Sequence, residues 1–386
     1  MDQDVATGGE ADTTTQAMWM AMELSLSKWK LGFSDGSGRP PRIVTVDARD
    51  YDALVGQVAR AKRAFGVAEA CEVRSMYEAG REGFSVHRSA RAAWDTQCDR
   101  GSGESRGVPA CAAGEVGLDR RESLLRHLVA YGCNRAPLAV VRVPSPEDEG
   151  RRQLDRELES LKKERGVHKK RIQSLLFAQG IAVDVTAALV GTLESMRTAD
   201  GRALPTELVT RIRREGERLA RVEEQLRVAE AERRARVMEG ADVAAVRMRT
   251  LMGLCGIGWT AAFRLVVEFF GWRTFANRRR VAQAAGLAST PYSSGTMDRD
   301  QGISKAGNRR VRALMIELAW IWLRWQPDSA LAKWYAKRFG DHRRAHRIGI
   351  VAVARRLLID LWRFVTLGVV PNGARLKPKR TAPATS

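Results

Sequence analysis

The chain has 386 residues and a formal net charge of +20, from 65 Lys and Arg against 45 Asp and Glu. That length accommodates two or three domains with their own cores, and basic residues spread along all of it point to a polyanionic partner, nucleic acid first. The five cysteines (Cys71, Cys98, Cys111, Cys133, Cys255) are odd in number and lack CxxC spacing, which argues against a disulfide framework and for a reducing cytoplasm; no run approaches 18 apolar residues, so no membrane span is predicted.

Residues 1–16 are acidic and polar, unlike a signal peptide, and read as disordered. The run MWMAMELSLSKWKLGFSDG, broken at Ser27-Lys28 and closed by Asp35-Gly36, predicts a β-hairpin, and RIVTVDA (42–48) a third strand. Apolar spacing at Leu54, Val55, Val58 and Ala61 with Gly66 beyond predicts a helix over 51–66, and EVRSMYEAG (72–80) a fourth strand running into a loop. Residues 94–120 have no period, whereas ESLLRHLVAYG predicts a helix and PLAVVRVP an extended segment. Ser145 can cap a helix that has Pro146 at its first position and Glu147, Asp148 and Glu149 at its positive end. That helix carries Leu154, Leu158, Leu161, Ile172 and Leu175 on one stripe. A second, after Pro205, carries Leu208, Ile212, Leu219, Val222 and Leu226. Two long charged helices with narrow apolar seams predict a coiled-coil arm or a dimerisation element, with the Arg- and Lys-rich face solvated. From Val243 onward the pattern is helical, and VRALMIELAWIWLRW predicts burial of Leu314, Met315, Leu318, Ile321, Trp322 and Trp325. The tail after Pro371 is basic and reads as disordered.

Three places can carry chemistry. Glu23 and Glu78 end the first and fourth strands; if those strands are neighbours in a ribonuclease-H-like sheet, two carboxylates meet where hard oxygen ligands would hold Mg²⁺, with Asp47 and Asp35 as weaker candidates. The stretch GLCGIG (253–258) lies between helices. It is either a tight turn or a helix–hairpin–helix in which Gly256 and Gly258 let backbone N–H groups approach a phosphate. The stretch PYSSGTMDRDQGISKAGNRRVR (291–312) sets Ser293 and Ser294 beside Gly295, followed by Lys305, Asn308, Arg309 and Arg310. No His stands nearby as a base, so chemistry alone leaves a phosphate contact or a nucleophile for phosphoryl transfer.

YEAGREGF, the helix start PSPEDE, GIGWTAAFRLVVEF, RRRVAQAAGLASTPYSSGTMDRDQGISKAGNRRVR and WQPDSALAKWY together resemble the DEDD-type insertion-sequence transposases, over roughly residues 17–365. The resemblance implies a RuvC-like N-terminal domain whose acidic tetrad binds Mg²⁺, a coiled coil, and a C-terminal transposase domain with a serine nucleophile. It also implies guidance by a structured bridge RNA that pairs with element and target DNA, and a homo-oligomer, a tetramer in the synaptic complex. Carried onto this chain, the first acid falls on Glu23, where the family has Asp, and the second on Glu78. The family's last two aspartates fall on Gly117 and Arg120, with Asp119 between them. Residues 94–121 change composition abruptly between good matches, as a shifted reading frame would produce. The family serine falls on Ser294, with Ser293 as its neighbour. Arg309, Arg310 and Lys305 are then expected to neutralise phosphate charge and Asn308 to position the loop.

The predicted fold is thus α+β/α. A ribonuclease-H-like (RuvC-like) domain covers 17–144, coiled-coil helices 145–240 and an all-α transposase domain 243–370, between disordered ends at 1–16 and 371–386. The implied activity is DNA transposition; a Holliday-junction-type nuclease using metal and water, or an inactive nucleic-acid-binding remnant, are the alternatives.

Overall fold

A computed structural model describes residues 17–77, 83–98, 110–111, 125–130, 140–141, 143–294, 297–340 and 345–378, with only the backbone described over 93–98, 110–111, 140–141, 290–294 and 297–301 and at 187. The chain divides into two compact units, 1–144 and 145–386.

In the first unit β1 (Met18–Glu23), β2 (Lys28–Ser34), β3 (Arg42–Asp47) and β4 (Val73–Tyr77) form one sheet in the order β3-β2-β1-β4. β2 is antiparallel to both β1 and β3, and β4 joins β1 in parallel, with Met18 opposite Val73 and Met22 opposite Tyr77. The unbroken apolar run of β1 has a simple cause: the strand is covered on both faces, as a parallel-paired central strand usually is. Met18, Met20 and Met22 pack with Trp29, Leu31 and Phe33 against Leu54, Val58 and Ala61 of α1 (Tyr51–Phe65), while Trp19, Ala21 and Met76 pack against Leu125 and Leu128 of a helical segment over 125–130. Asp50 caps α1 by accepting from Ala53 N–H, and Gly66 ends it in the left-handed conformation. The predicted loop after the fourth strand is instead followed by α2 (Gly83–Cys98), whose small and polar residues give no helical stripe. Two short pieces, β5 (Ala110–Cys111) and β6 (Val140–Val141), pair with each other.

The second unit begins with α3 (Pro146–Phe177), capped by Ser145, which accepts from Asp148 N–H with Pro146 at the first position as predicted. It packs along α4 (Thr206–Met238). Leu154, Leu158 and Leu161 meet Val222, Leu226 and Ala229, and Ile172 and Leu176 meet Ile212 and Leu219, so the helices run antiparallel. Gly216 lies mid-helix because a Cβ there would collide with the side chain of Val190, which folds over the far end of the pair. Beyond this arm lie α5 (Val243–Met252), α6 (Trp259–Leu265) with a π-helical turn Val266–Phe270, α7 (Arg278–Ala284), α8 (Arg309–Trp325), α9 (Ala330–Phe339) and α10 (His346–Leu367), around a core in which Phe263, Phe269, Met315, Trp322 and Leu357 are buried.

Three expectations for this unit need correction. It is not all-α: β7 (Ser289–Ser294) and β8 (Met297–Ile303) form an antiparallel hairpin across the stretch read as a loop. The buried stripe of α8 runs through Val311, Met315, Leu318 and Trp322 and continues onto fully buried Gln326, which rotates Ile321 and Trp325 outward; they are 37% and 55% exposed. The segment after Pro371 is not disordered as far as it is described. Cys255 N–H donates to Arg375 C=O, Lys377 N–H to Gly253 C=O and Ala330 N–H to Asn372 C=O. Among the described residues, no helix is long and apolar enough to cross a membrane.

Candidate functional site

The serine stretch is a hairpin on a rigid base. Ser293 pairs with Asp298 and Ser294 with Met297, so Ser294 holds the last ladder position before the two connecting residues. At the other end the chain returns onto the segment after α7: Ser304 N–H donates to Ala288 C=O, Lys305 N–H to Gly286 C=O and Asn308 N–H to Ala284 C=O. Gly307, at φ 142°, leaves no room for a side chain, since a Cβ would stand 2.6 Å from both Ala284 O and Gly286 N. Lys305 has φ 55°, a left-handed conformation that a non-glycine residue adopts only when its surroundings over-determine it. Arg312 Nη1 helps, donating to Lys305 O at 2.8 Å and to Ala285 O at 3.3 Å.

Asn308 caps α8 through Oδ1, which accepts from Arg310 and Val311 N–H, and its Nδ2 donates to Glu268 O and Oε2. These bonds tie Asn308 to the start of α8 and to Glu268. Of the three cations assigned to phosphate, Lys305 and Arg309 are exposed. Arg310 donates through Nε to Glu159 Oε2 at 2.8 Å, so an α3 carboxylate already balances it.

Glu159 belongs to a network that sequence periodicity does not reveal. Asp155, fully buried, accepts from Arg264 Nε at 2.7 Å and from Arg233 Nη1 at 3.4 Å; Arg264 Nη2 also reaches Glu159 Oε1 at 3.1 Å. Arg156 Nε approaches Glu268 Oε1 at 3.4 Å. Burial pulls the Arg233 guanidinium below its usual range, more than Asp155 and Glu230 lift it, and its ring-stacking on Trp259 at 4.7 Å lies in the same dry setting. At Arg264 burial acts the same way, but the short hydrogen bond and charge of Asp155, with Glu159, outweigh it and the net direction is upward. One face of α3 expected to be solvated therefore turns Arg152 and Asp155 into the second unit's core, with Arg156 and Glu159 at its margin, and Glu159 ties the arm through Arg310 to the helix that follows the serine hairpin. Only Glu268 had a legible signal, as the single acid in the apolar run RLVVEFFG.

GLCGIG forms the turn between α5 and α6. Leu254 and Ile257 are buried, Gly256 has φ 88°, and Gly258 is the exposed N-cap of α6. A Cβ on Gly256 would meet Ile321 and Trp325 of α8 at 3.2 and 3.3 Å. Most of the turn's polar backbone is already engaged. Lys377 Nζ donates to Ile257 O at 2.7 Å, and Gln326 Nε2 to Cys255 O and Arg375 O, both at 2.9 Å, while Gln326 Oε1 accepts from Arg375 N–H. These bonds engage the turn up to Ile257, and Gly258 beyond them is exposed.

In the first unit, Glu23 is half-buried at the end of β1, one residue past the Met22–Tyr77 pair that closes the parallel ladder with β4. Glu78, next in sequence after Tyr77, lies outside the described residues, as do Asp119, Gly117 and Arg120. Among the described residues, no three His, Cys, Asp or Glu side chains group as a metal site. The chemistry of the carried-over set, three hard carboxylates, suits Mg²⁺ rather than a softer metal.

The second unit sets Ser294 at the last ladder position of a braced hairpin whose base carries exposed Lys305 and Arg309, and its excess of Lys and Arg suits a polyanionic partner. Residues 248–334 match the profile of the Transposase IS116/IS110/IS902 family, spanning the glycine turn, Glu268, the hairpin and Asn308. A Sinorhizobium fredii protein bearing the name "Putative transposase y4rJ" is 38% identical over 384 residues, covering 94% of this chain and 95% of that protein. The chain belongs to this transposase family, whose members are enzymes of DNA transposition.

Proposed function

We propose that the chain transposes its element by serine-based phosphoryl transfer. Ser294 Oγ attacks a backbone phosphorus of the element end, a P–O bond to the leaving strand breaks, and the leaving oxygen takes up a proton as the serine gives one up. A hydroxyl of the incoming strand then attacks the phosphoserine and restores the serine. Lys305 and Arg309 offset the charge on the non-bridging oxygens, and Asn308 with Glu268 holds the hairpin's base. The observation that carries the reading is the hairpin itself: Ser294 occupies its last ladder position, on a base fixed by Gly307, Asn308 and Arg312. A serine on a loosely held loop would not meet the orientation that such chemistry needs.

The sheet order β3-β2-β1-β4 with β1 parallel to β4 supports the ribonuclease-H-like reading of the first unit, with Glu23, Glu78 and Asp119 as the carboxylates that would hold Mg²⁺. A bound Mg²⁺ would supply Lewis-acid polarisation of a phosphate oxygen. The arm formed by α3 and α4 is read as a coiled coil for assembly of a homo-oligomer on element-end and target DNA, and the excess charge leaves ample surface for a structured guide RNA. The test is a strand-exchange reaction with element-end DNA, the element's own non-coding RNA and Mg²⁺, comparing wild type with Ser294→Ala and Ser293→Ala. Loss of exchange and of covalent protein–DNA adducts in Ser294→Ala alone supports the reading. Cleavage retained in Ser294→Ala indicates a metal-and-water nuclease.

A further inference from the structure

A cavity opens between α8, the start of α9, α10 and the segment that follows α10. Its empty space is about 560 Å³ with the mouth included, within the roughly 300–1,000 Å³ of small-ligand sites. Trp322, Leu331, Val369, Val370 and Pro371 give it apolar walls, and Asp360, Arg363 and Asn372 give it polar groups. The wall is tied down where Ala330 N–H donates to Asn372 C=O at 2.9 Å. Ser329 also lines the cavity, but its Oγ is spent: it accepts from Trp322 Nε1 and Ala332 N–H and donates to Gln326 O.

Among the described residues, Asp360 accepts no hydrogen bond and closes no ion pair, and the side chains of Arg363 and Asn372 make no hydrogen bond either. Asp360 is half-buried, and burial raises its carboxyl above the usual 3.8, against smaller opposing pulls from Arg363 and then Arg356. The other carboxylate beside the lining, Asp328, faces Arg375 at 4.0 Å. Two guanidinium groups already act on Asp360, so a further cation has little to gain there. What the carboxylate lacks is hydrogen-bond donors, and the ligand that brings them must have faces that suit apolar walls. A nucleobase has both. Adenine and cytosine set an amino group beside a bare ring nitrogen, which repels a carboxylate, and uracil and thymine set one N–H between two carbonyls. Guanine has two adjacent donors, N1–H and the N2 amino group, which match the two oxygens of a carboxylate.

We infer that this cavity takes an unpaired guanine of bound nucleic acid, whose N1–H and N2 amino group donate to Asp360. Asn372 supplies a donor for O6, and exposed Arg363 offsets the phosphate of the same nucleotide. Base pairing hides this edge of guanine, so the ligand is a single-stranded or extruded base. The site uses none of the serine chemistry and stands or falls independently of Ser294.

The full-length chain and Asp360→Asn are titrated with guanosine, inosine, adenosine and xanthosine monophosphates, with binding read by ligand-observed NMR. Inosine lacks the N2 amino group, and xanthine carries a carbonyl in its place. Wild type should bind the guanine nucleotide about tenfold or more tightly than the inosine or adenine one, the worth of one hydrogen bond to a charged group. Asn keeps an acceptor for N1–H and turns an N–H toward C2. Asp360→Asn should therefore lose the guanine preference and bind the xanthine nucleotide best, a gain that a merely misfolded variant cannot give. Replacing guanine by inosine in a single-stranded RNA and in a DNA of equal sequence should weaken binding of at least one, which identifies the source. A guanine preference among free nucleotides with no effect in either strand would assign the cavity to a free nucleotide and reject the nucleic-acid ligand. No binding of the guanine nucleotide, equal binding of all four by wild type, or an unchanged guanine preference in Asp360→Asn overturns the site.

Discussion

Substituting Asp155 by Asn is the sharpest probe of how the arm is joined to the rest of the second unit. Asn keeps the shape and removes the charge that Arg233 and Arg264 share. Arg264 retains Glu159 at 3.1 Å, but Arg233 is 1% exposed and its other partner, Glu230, stands at 4.0 Å and is itself 42% exposed. The variant therefore leaves a guanidinium buried without adequate compensation, a loss of about 3–5 kcal/mol. In a unit of this size each kcal/mol moves the melting temperature by about 2–4 °C, so a fall of roughly 6–20 °C is expected. The assay is thermal unfolding by circular dichroism at low and high salt, because a buried pair is screened little while surface pairs weaken. The double variant Asp155→Leu with Arg233→Met removes both charges and should recover most of the loss. A fall below about 1 kcal/mol, or a double variant no better than the single one, would refute the claim that this pair sits in a dry core.

Three further outcomes follow from the geometry. Glu215, buried between α3 and α4, accepts from His168 Nδ1 at 2.6 Å and from Arg218 at 2.8 Å, and the His168 hydrogen bond holds its carboxyl below the usual 4.5. Its contribution is present above that value and is lost as pH falls through the depressed folded value, so acid melts of wild type should steepen below about pH 4.5 and those of Glu215→Gln should stay flatter. Gly307→Ala should cost at least about 1–3 kcal/mol from the backbone collision and the φ of 142°, read as a lower denaturant midpoint. Truncation after Val370 should destabilise the chain by several kcal/mol, at about 1 kcal/mol for each lost hydrogen bond, read as a lower melting temperature.

Periodicity served best where one physical term dominates. The apolar run of β1, the β-branched run of β3, the Ser145-Pro146 start and the leucine stripes of α3 and α4 each reflect burial or capping alone and lie where expected, except that at the end of the α3 stripe Leu176 is buried in place of Leu175. The hairpin over 289–303 was hidden because STPYSSGTMDRDQGI has no apolar alternation; its ladder is held by backbone pairing and by the anchored segment after it. Charges on α3 look alike in sequence whether they face water or Arg233 and Arg264, since the pattern records the residue and not its partner. The same limit applies to Trp325, whose spacing matches the buried stripe of α8 until Gln326 takes that face. At the candidate site, the serine, the glycines and the cations were legible as residue types. That Arg310 is balanced by Glu159, and Asn308 by Glu268, needed the fold.

The central claim, that Ser294 bonds covalently to DNA, is tested most directly by trapping. Element-end DNA carrying a nick just beyond the exchange site should accumulate a protease-sensitive protein–DNA adduct with wild type and with Ser293→Ala, and peptide mapping should place the phosphate on Ser294. Undiminished adduct in Ser294→Ala, or strand exchange by that variant at the wild-type rate, would contradict the account.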